Sequence, residues 1–164
     1  MDEKQKVLEK LEELQIPFEI IDHPPVHTIE EMDALGVFTR GTVCKNLFLR
    51  NANGKIHYVV SMKKDKHPEI QTVIRQGLGS SRLSFGSDER LKKHLGLLPG
   101  AVSPFGVLNN EAHDVVVALD SDLKKETGLI GFHPNVNTSF VWLSFNGLMT
   151  FLKAMGNPVV FLDL

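Results

Sequence analysis

Val43-Cys44-Lys45-Asn46-Leu47-Phe48-Leu49-Arg50 and Ile56-His57-Tyr58-Val59-Val60-Ser61-Met62 are two strand-like runs, separated by Asn51-Ala52-Asn53-Gly54 and Lys55. The asparagine–glycine signal between them predicts a β-hairpin. A hairpin inside a chain that also carries helical periodicity argues against strict βαβ alternation. It points instead to an α+β domain with a mixed β-sheet and flanking helices. Upstream, residues 2–15 repeat apolar positions at Val7, Leu8, Leu11 and Leu14, which predicts an amphipathic helix. Phe18 to Ile21 reads as a strand, and Thr28-Ile29-Glu30-Glu31 as a capping box opening a helix to about Leu35.

Downstream, Pro68 to Gln76 reads as a helix with proline near its first turn. Ser87 to Leu95 reads as another, with Ser87 as its cap. Asp114 to Leu119 is the most β-branched run and is expected as a central strand. A short helix over Ser121 to Thr127, closed by Gly128, then a strand over Thr138 to Leu143, a helix over Asn146 to Met155 and a strand over Val159 to Leu162 complete the chain. No repeat or linker divides it, so residues 1–164 are expected to form one domain.

Composition narrows the function classes. Apolar content of 42% and charged content of 23% are ordinary for a soluble globular protein. No apolar run is long enough to span a bilayer, so no membrane partner is expected. The N-terminus lacks a signal core and Cys44 is the single cysteine, which together suggest the cytoplasm. A formal net charge of −2 gives no overall attraction to nucleic acid and no reason to expect DNA binding. P-loop, dinucleotide, zinc-protease and nucleophile-elbow motifs are all missing.

Several segments could carry chemistry. Leu98-Pro99-Gly100-Ala101-Val102-Ser103-Pro104-Phe105-Gly106 reads as poor packing material and as a source of backbone N–H groups for a small ligand. Strand alternation puts Lys45 on one face with Val43, Leu47 and Leu49. It either snorkels at a rim or projects into a cavity to meet an anion. His133, in Gly131-Phe132-His133-Pro134-Asn135, is either a cleft residue or a structural histidine. His23 and His27 would be a metal pair on a helix, but the prolines between them remove the helix. Lining or closing a pocket suits them better, and no metal or cofactor is expected. Cys44 shares its face with Asn46 and Phe48 and reads as a core residue more readily than as a nucleophile. Lys63-Lys64-Asp65-Lys66-His67 is either solvated surface or a local phosphate-binding face.

Five stretches in order resemble one family. They are His23-Pro24-Pro25-Val26-His27-Thr28, Lys45 to Leu49, Arg82-Leu83-Ser84-Phe85, Gly100 to Gly106 and Gly131 to Asn135. Together they resemble the YbaK/ProX aminoacyl-tRNA deacylases, related to the editing insertion of bacterial prolyl-tRNA synthetases. Ser103-Pro104-Phe105 and Gly131 to Asn135 favour the ProX (PrdX, ProXp-ala) branch, which clears alanine from tRNA(Pro). Asn110 stands where that pattern suggests an acid.

The resemblance implies a metal-independent trans-editing hydrolase acting on the ester of mischarged tRNA(Pro), most simply Ala-tRNA(Pro). The tRNA acceptor end is the implied partner, and prolyl-tRNA synthetase a further candidate. Lys45, Gly100 and His133 are the implied catalytic positions. His27, Asn46, Ser84, Ala101, Val102, Ser103, Pro104, Phe105, Gly131 and Asn135 are the implied substrate-binding ones. Two alternatives stand beside this reading: the same chemistry on cysteinyl or seryl groups, and a tRNA-binding module without activity.

Overall fold

The hairpin is the middle of the sheet. In the computed structural model, which describes residues 2–25, 29–34 and 40–164, β2 (Gly41–Arg50) pairs antiparallel with β3 (His57–Lys63) from Cys44↔Lys63 to Arg50↔His57. The turn closes through the Asn51 side chain, whose Oδ1 accepts from the N–H of Lys55 and Ile56, while Gly54 takes the left-handed conformation at φ 71°.

The remaining strands are β1 (Glu19–Asp22), β4 (Ser84–Phe85), β5 (Val116–Asp120), β6 (Leu129–Phe132), β7 (Ser139–Ser144) and β8 (Val159–Leu162). Their order is β1-β7-β6-β2-β3-β5-β8, with β4 paired to β2 off this path. β2·β6, β3·β5 and β5·β8 are parallel and the rest antiparallel, so the sheet is mixed. The α+β expectation holds. β5, read as central, has neighbours on both sides but lies next to the β8 edge. An apolar run reports burial on two faces, whereas position in the sheet is set by pairings distant in sequence.

α1 (Glu3–Glu13) is capped by Asp2, whose carboxylate accepts from the Gln5 N–H. α4 (Asp88–Leu95) is capped by Ser87 and α5 (Phe145–Met155) by Ser144, each ending on a left-handed glycine, Gly96 or Gly156. α2 is Ile29–Ala34; its expected Thr28 cap lies outside the described residues. The helix expected over Pro68 to Gln76 is a π-helical segment, Ile70–Ile74, running into α3 (Arg75–Leu78), with Glu69 as its cap. The helix expected over Ser121 to Thr127 is a 3₁₀ segment, Ser121–Lys125.

Alternation along the strands separates two faces. Cys44, Phe48, Val59, Val117, Leu119, Ile130, Phe132, Val141 and Leu143 pack with α1, α4 and α5 in the main core. On the opposite face are two separate clusters. Leu49, Tyr58, Val60 and Met62 pack with Ile74 and Leu83, while Val43 packs with Phe140 and Trp142.

The hairpin end carries a buried histidine. His57 stacks on Phe48 at 5.6 Å and meets the tilted ring of His94 at 3.9 Å. Arg90 donates to the Gly54 carbonyl at 2.9 Å and faces His57 Nε2 at 3.1 Å, which makes Nε2 the acceptor and leaves the proton on Nδ1. Burial first, then His94 and Arg90, push His57 down to about 4. With its folded value below the free value of about 6.5, the neutral ring's stabilisation is complete above that pH and is lost as pH falls toward the folded value. His57→Gln is therefore expected to show a shallower fall of melting temperature between neutral and mildly acid pH than the parent. Equal slopes in differential scanning calorimetry would remove His57 as the cause.

Candidate functional site

The outer edge of β2 is split. It pairs with β6 over Gly41 to Val43 and with β4 at Leu49 and Arg50, and among the described residues the segment between has no strand partner. The Lys64 N–H bonds the Val43 carbonyl and the Asn51 N–H bonds the Ile56 carbonyl, so odd-numbered residues of β2 bond toward β3. The N–H and C=O of Asn46 therefore face the open side. The Gly86 N–H bond to the Phe48 carbonyl on that side fits the same alternation.

Lys45 stands on the face opposite the main core, in sequence between Val43 of one apolar cluster and Leu47, which packs against the other. Its ammonium meets His67 Nδ1 at 3.2 Å. Among the described residues no carboxylate lies within ion-pair distance of it. Burial pulls its pKa below the ordinary lysine value, with Asp65 acting in the other direction. Its neighbours are different: Lys63 pairs with Glu126, Lys64 with Asp65, and Lys66 with Asp120 and Asp122. The run read as a possible phosphate-binding face is thus occupied by its own counter-charges.

His133 follows β6 on the same face as Lys45. The parallel register ends at Val43↔Gly131, and each of the two residues lies two positions beyond that last pair. His133 Nδ1 donates to the Ser139 carbonyl at 2.9 Å, and its ring meets Phe140 edge-on at 5.2 Å and His23 at 5.9 Å. Burial holds His133 below the usual imidazole value, against the Ser139 carbonyl and together with His23. The result is a neutral ring with Nε2 left as the acceptor. His23 is buried, with Nδ1 bonded to the Pro24 carbonyl and Nε2 unpartnered among the described residues. Ser139 and Phe140, which hold the His133 ring, had no signal in the sequence beyond their place in a strand.

Gly131 is buried beneath Phe140. A Cβ built there would stand 2.2 Å from Phe140 Cε1 and 2.8 Å from Trp142 Cε3, so the ring position requires glycine. Asn135 holds a left-handed φ of 63° and donates to the Phe105 carbonyl at 3.3 Å. That bond ties the segment after β6 to the glycine-proline loop. Asn135 Oδ1 is buried without a partner among the described residues.

The loop itself divides in two. Leu98, Pro99 and Gly100 are exposed, with Gly100 at φ 89°. Neither the Gly100 nor the Val102 N–H finds an acceptor among the described residues, whereas the Ala101 N–H bonds the Leu98 carbonyl. From Ser103 to Val107 the chain is buried, contrary to the expectation of poor packing material. Ser103 caps a 3₁₀ segment, Pro104–Asn109, its hydroxyl accepting from the Phe105 N–H, and Phe105 meets Phe132 and Phe151 edge-on in the main core. Ala101 and Pro104 are buried and Val102 is half-buried against the core.

Asn46 turns its side chain to the main-core face, where Oδ1 accepts from the Ser61 hydroxyl at 2.6 Å. Ser84 is exposed and pairs with Arg50, five residues from Lys45, or about 17 Å along the strand. His27 lies outside the described residues. Asn110 accepts from the N–H groups of Asp114 and Val115 and donates to the Asp114 carboxylate. A carboxylate there could not make that donation, which explains asparagine at this position.

Cys44 is buried, and burial pushes its thiol pKa well up, with Glu126 acting the same way. A thiol so held is a poor nucleophile at neutral pH. Cys44→Ala is expected to keep turnover within about threefold of the parent in deacylation assays, since it removes no reacting group. A loss beyond about a hundredfold in a folded variant would restore the nucleophile reading.

The fold is that of an aminoacyl-tRNA editing domain. Residues 23–151 match the family model for the aminoacyl-tRNA editing domain, and the chain belongs to that family. It is 44% identical over 164 residues to prolyl-tRNA editing protein ProX of Acetoanaerobium sticklandii, covering 100% of this chain and 99% of that protein. It is 30% identical over 157 residues to prolyl-tRNA synthetase associated domain-containing protein 1 of Mus musculus, covering 94% of this chain and 92% of that one. A solved candidate trans-editing enzyme for prolyl tRNA synthetase shares the fold at a TM-score of 0.74 and 17% identity, covering 100% of this chain and 98% of that one.

Proposed function

We propose that this chain clears alanine from mischarged tRNA(Pro). As an aminoacyl-tRNA editing domain it is an aminoacyl-tRNA hydrolase. The alanyl group and the residue roles are the finer part of the reading. The observation that carries it is the cation of Lys45, unpaired by any described carboxylate, on one face with the neutral ring of His133.

An aminoacyl ester is already activated. It needs an oriented water and donors for the tetrahedral oxyanion. The N–H groups of Gly100 and Val102 are donors without an acceptor among the described residues. Lys45 neutralises the terminal phosphate or the ester oxygen, and His133 Nε2 accepts a proton or holds the water. Ala101, Ser103, Pro104, Phe105 and Asn135 fix the loop that presents the amides. Asn46 offers main-chain groups on the open edge of β2. The tRNA acceptor end is the partner in this reading, and the cytoplasm its place of action.

The biological need is a sieve. A synthetase pocket shaped for proline rejects alanine by only about 1–3 kcal/mol for each missing methylene. A second, smaller pocket admits alanine and refuses proline by overlap. Purified protein is expected to deacylate Ala-tRNA(Pro) well and to spare Pro-tRNA(Pro), measured beside Cys- and Ser-tRNA(Pro) and Ala-tRNA(Ala). Equal turnover of the alanyl and prolyl esters ends the sieve argument. Preference for the cysteinyl ester moves the chain to the sister branch, and no turnover at all makes it a binding module.

A further inference from the structure

The two edges of the sheet are guarded very differently. β1 carries Glu19 and Asp22, held by Arg40 at 3.8 Å and Lys4 at 2.8 Å. Charges of this kind blunt an edge against pairing with another strand. β8 at the other edge reads Val159-Val160-Phe161-Leu162, without a charge, and Val160 is 38% exposed. Beside β8 a cavity of about 600 Å³ opens between the strand and α5, floored by Met149, Leu152 and Val159. Asn146, Met149, Thr150 and Lys153 border it as one helical stripe.

We propose that β8 and the adjoining face of α5 form an interface for a second copy of this chain, with the two β8 strands antiparallel about a twofold axis at Val160. This goes beyond the editing reaction and does not depend on it. The Val117 N–H bonds the Pro158 carbonyl, so the even-numbered residues of β8 bond toward β5. The N–H and C=O groups of Val159 and Phe161 therefore point outward. A twofold axis perpendicular to the sheet keeps like faces together, which requires residues of equal parity to stand opposite each other. Pairing Val159 with Phe161 of the second copy meets both conditions. It sets Val160 against its own copy in the close, non-hydrogen-bonded position, where β-branched side chains pack well.

The same register also places the charges at the ends of the seam. Asp163 of the second copy falls opposite Asn157. Lys153, beside it in the cavity wall, and Asp163 are both exposed, and neither has an ion-pair partner among the described residues. Antiparallel pairing brings the Lys153 end of one chain to the Asp163 end of the other, twice. The α5 stripes meet over the seam and close the cavity, adding the apolar area that a four-residue strand alone lacks.

Sedimentation velocity across micromolar to hundreds of micromolar protein tests this. The parent is expected to associate to the mass of two 18.3-kDa chains. Val160→Lys puts like charges face to face and is expected to raise the dissociation constant roughly tenfold or more. Lys153→Glu and Asp163→Lys are each expected to weaken association, and the double reversal to restore it. These two side chains are exposed, so that pair carries the test even if Val160→Lys fails to fold. A parent that sediments as one chain throughout, a folded Val160→Lys that dimerises like the parent, or a double reversal no better than the singles overturns the proposal. A monomeric parent would leave the β8 edge to a strand from another protein.

Discussion

Lys45→Ala is expected to lower kcat/KM for the accepted aminoacyl-tRNA by about tenfold to a few hundredfold, the worth of one charge-assisted contact at roughly 1.5–3 kcal/mol. The melting temperature should hold or rise. Lys45 sits on an otherwise apolar strand face without a described carboxylate, and burial already weakens its charged form. Removing it therefore relieves a desolvation cost and, on the proposed role, takes away a substrate contact while leaving core packing in place. Lys45→Arg should recover only part of the rate, because a planar fork replaces a compact ammonium. Salt dependence separates the two roles open to the cation. If it holds a tRNA phosphate, the slope of log affinity against log salt falls by about one in the alanine variant. If it holds the ester oxygen, the slope stays and kcat falls. Activity and melting are to be measured on one preparation, and parental turnover at parental melting temperature would remove Lys45 from the site.

Much of this arrangement is legible because strand alternation and helix caps are local. The face shared by Val43, Lys45, Leu47 and Leu49 follows from period two. α4 and α5 begin at serines that satisfy their first N–H groups and end at glycines that take the left-handed turn. β8 is legible to the residue, since glycine, asparagine and proline precede it. The Ser103 to Gly106 segment was misleading for a physical reason. Proline and glycine suggested an exposed loop, but Ser103 caps a 3₁₀ turn that sinks Phe105 into the core, and a Cβ at Gly106 would stand 2.8 Å from Leu97. Two-residue β4 carries too little pattern to detect, and it is defined by its partner on β2.

The candidate site is legible in its charged member and obscure in its supports. A lysine among aliphatics is conspicuous in sequence. The need for glycine at position 131 is not, because it arises from Phe140 and Trp142, which β7 folds over it. Nor does the sequence show that Asn135 holds the Phe105 carbonyl, a contact across 30 residues. The split edge of β2 is likewise a product of two separate pairings, one to β6 and one to β4.

Lys66→Ala is expected to cost about 3–5 kcal/mol of stability, the usual result of breaking a buried ion pair from one side. The Lys66 ammonium lies 2.6 Å from Asp120, 2.5 Å from Asp122 and 2.7 Å from the Leu164 carbonyl. Asp120 is 1% exposed at the end of β5, so loss of the lysine strands a carboxylate away from water. For a chain of this size that is a fall in melting temperature of roughly 6–20 °C. Burial works against the charge on Lys66, but the bonds to Asp120 and Asp122 outweigh it and raise its pKa. A raised lysine stabilises fully below its free value of about 10.4, and that stabilisation is lost as pH climbs through the folded value. The parent should therefore lose stability in strong base by a step that Lys66→Ala lacks. Replacing both partners with apolar residues, Lys66→Met with Asp120→Leu, should recover most of the loss, because no buried charge is then left unpaired. Calorimetry of the parent, the single and the double variants decides it: a single variant that melts with the parent means Asp120 finds water or another donor, and a double variant no better than the single means the loss lies in packing or in the cap that Asp120 makes to the Asp122 N–H, instead of in the stranded charge.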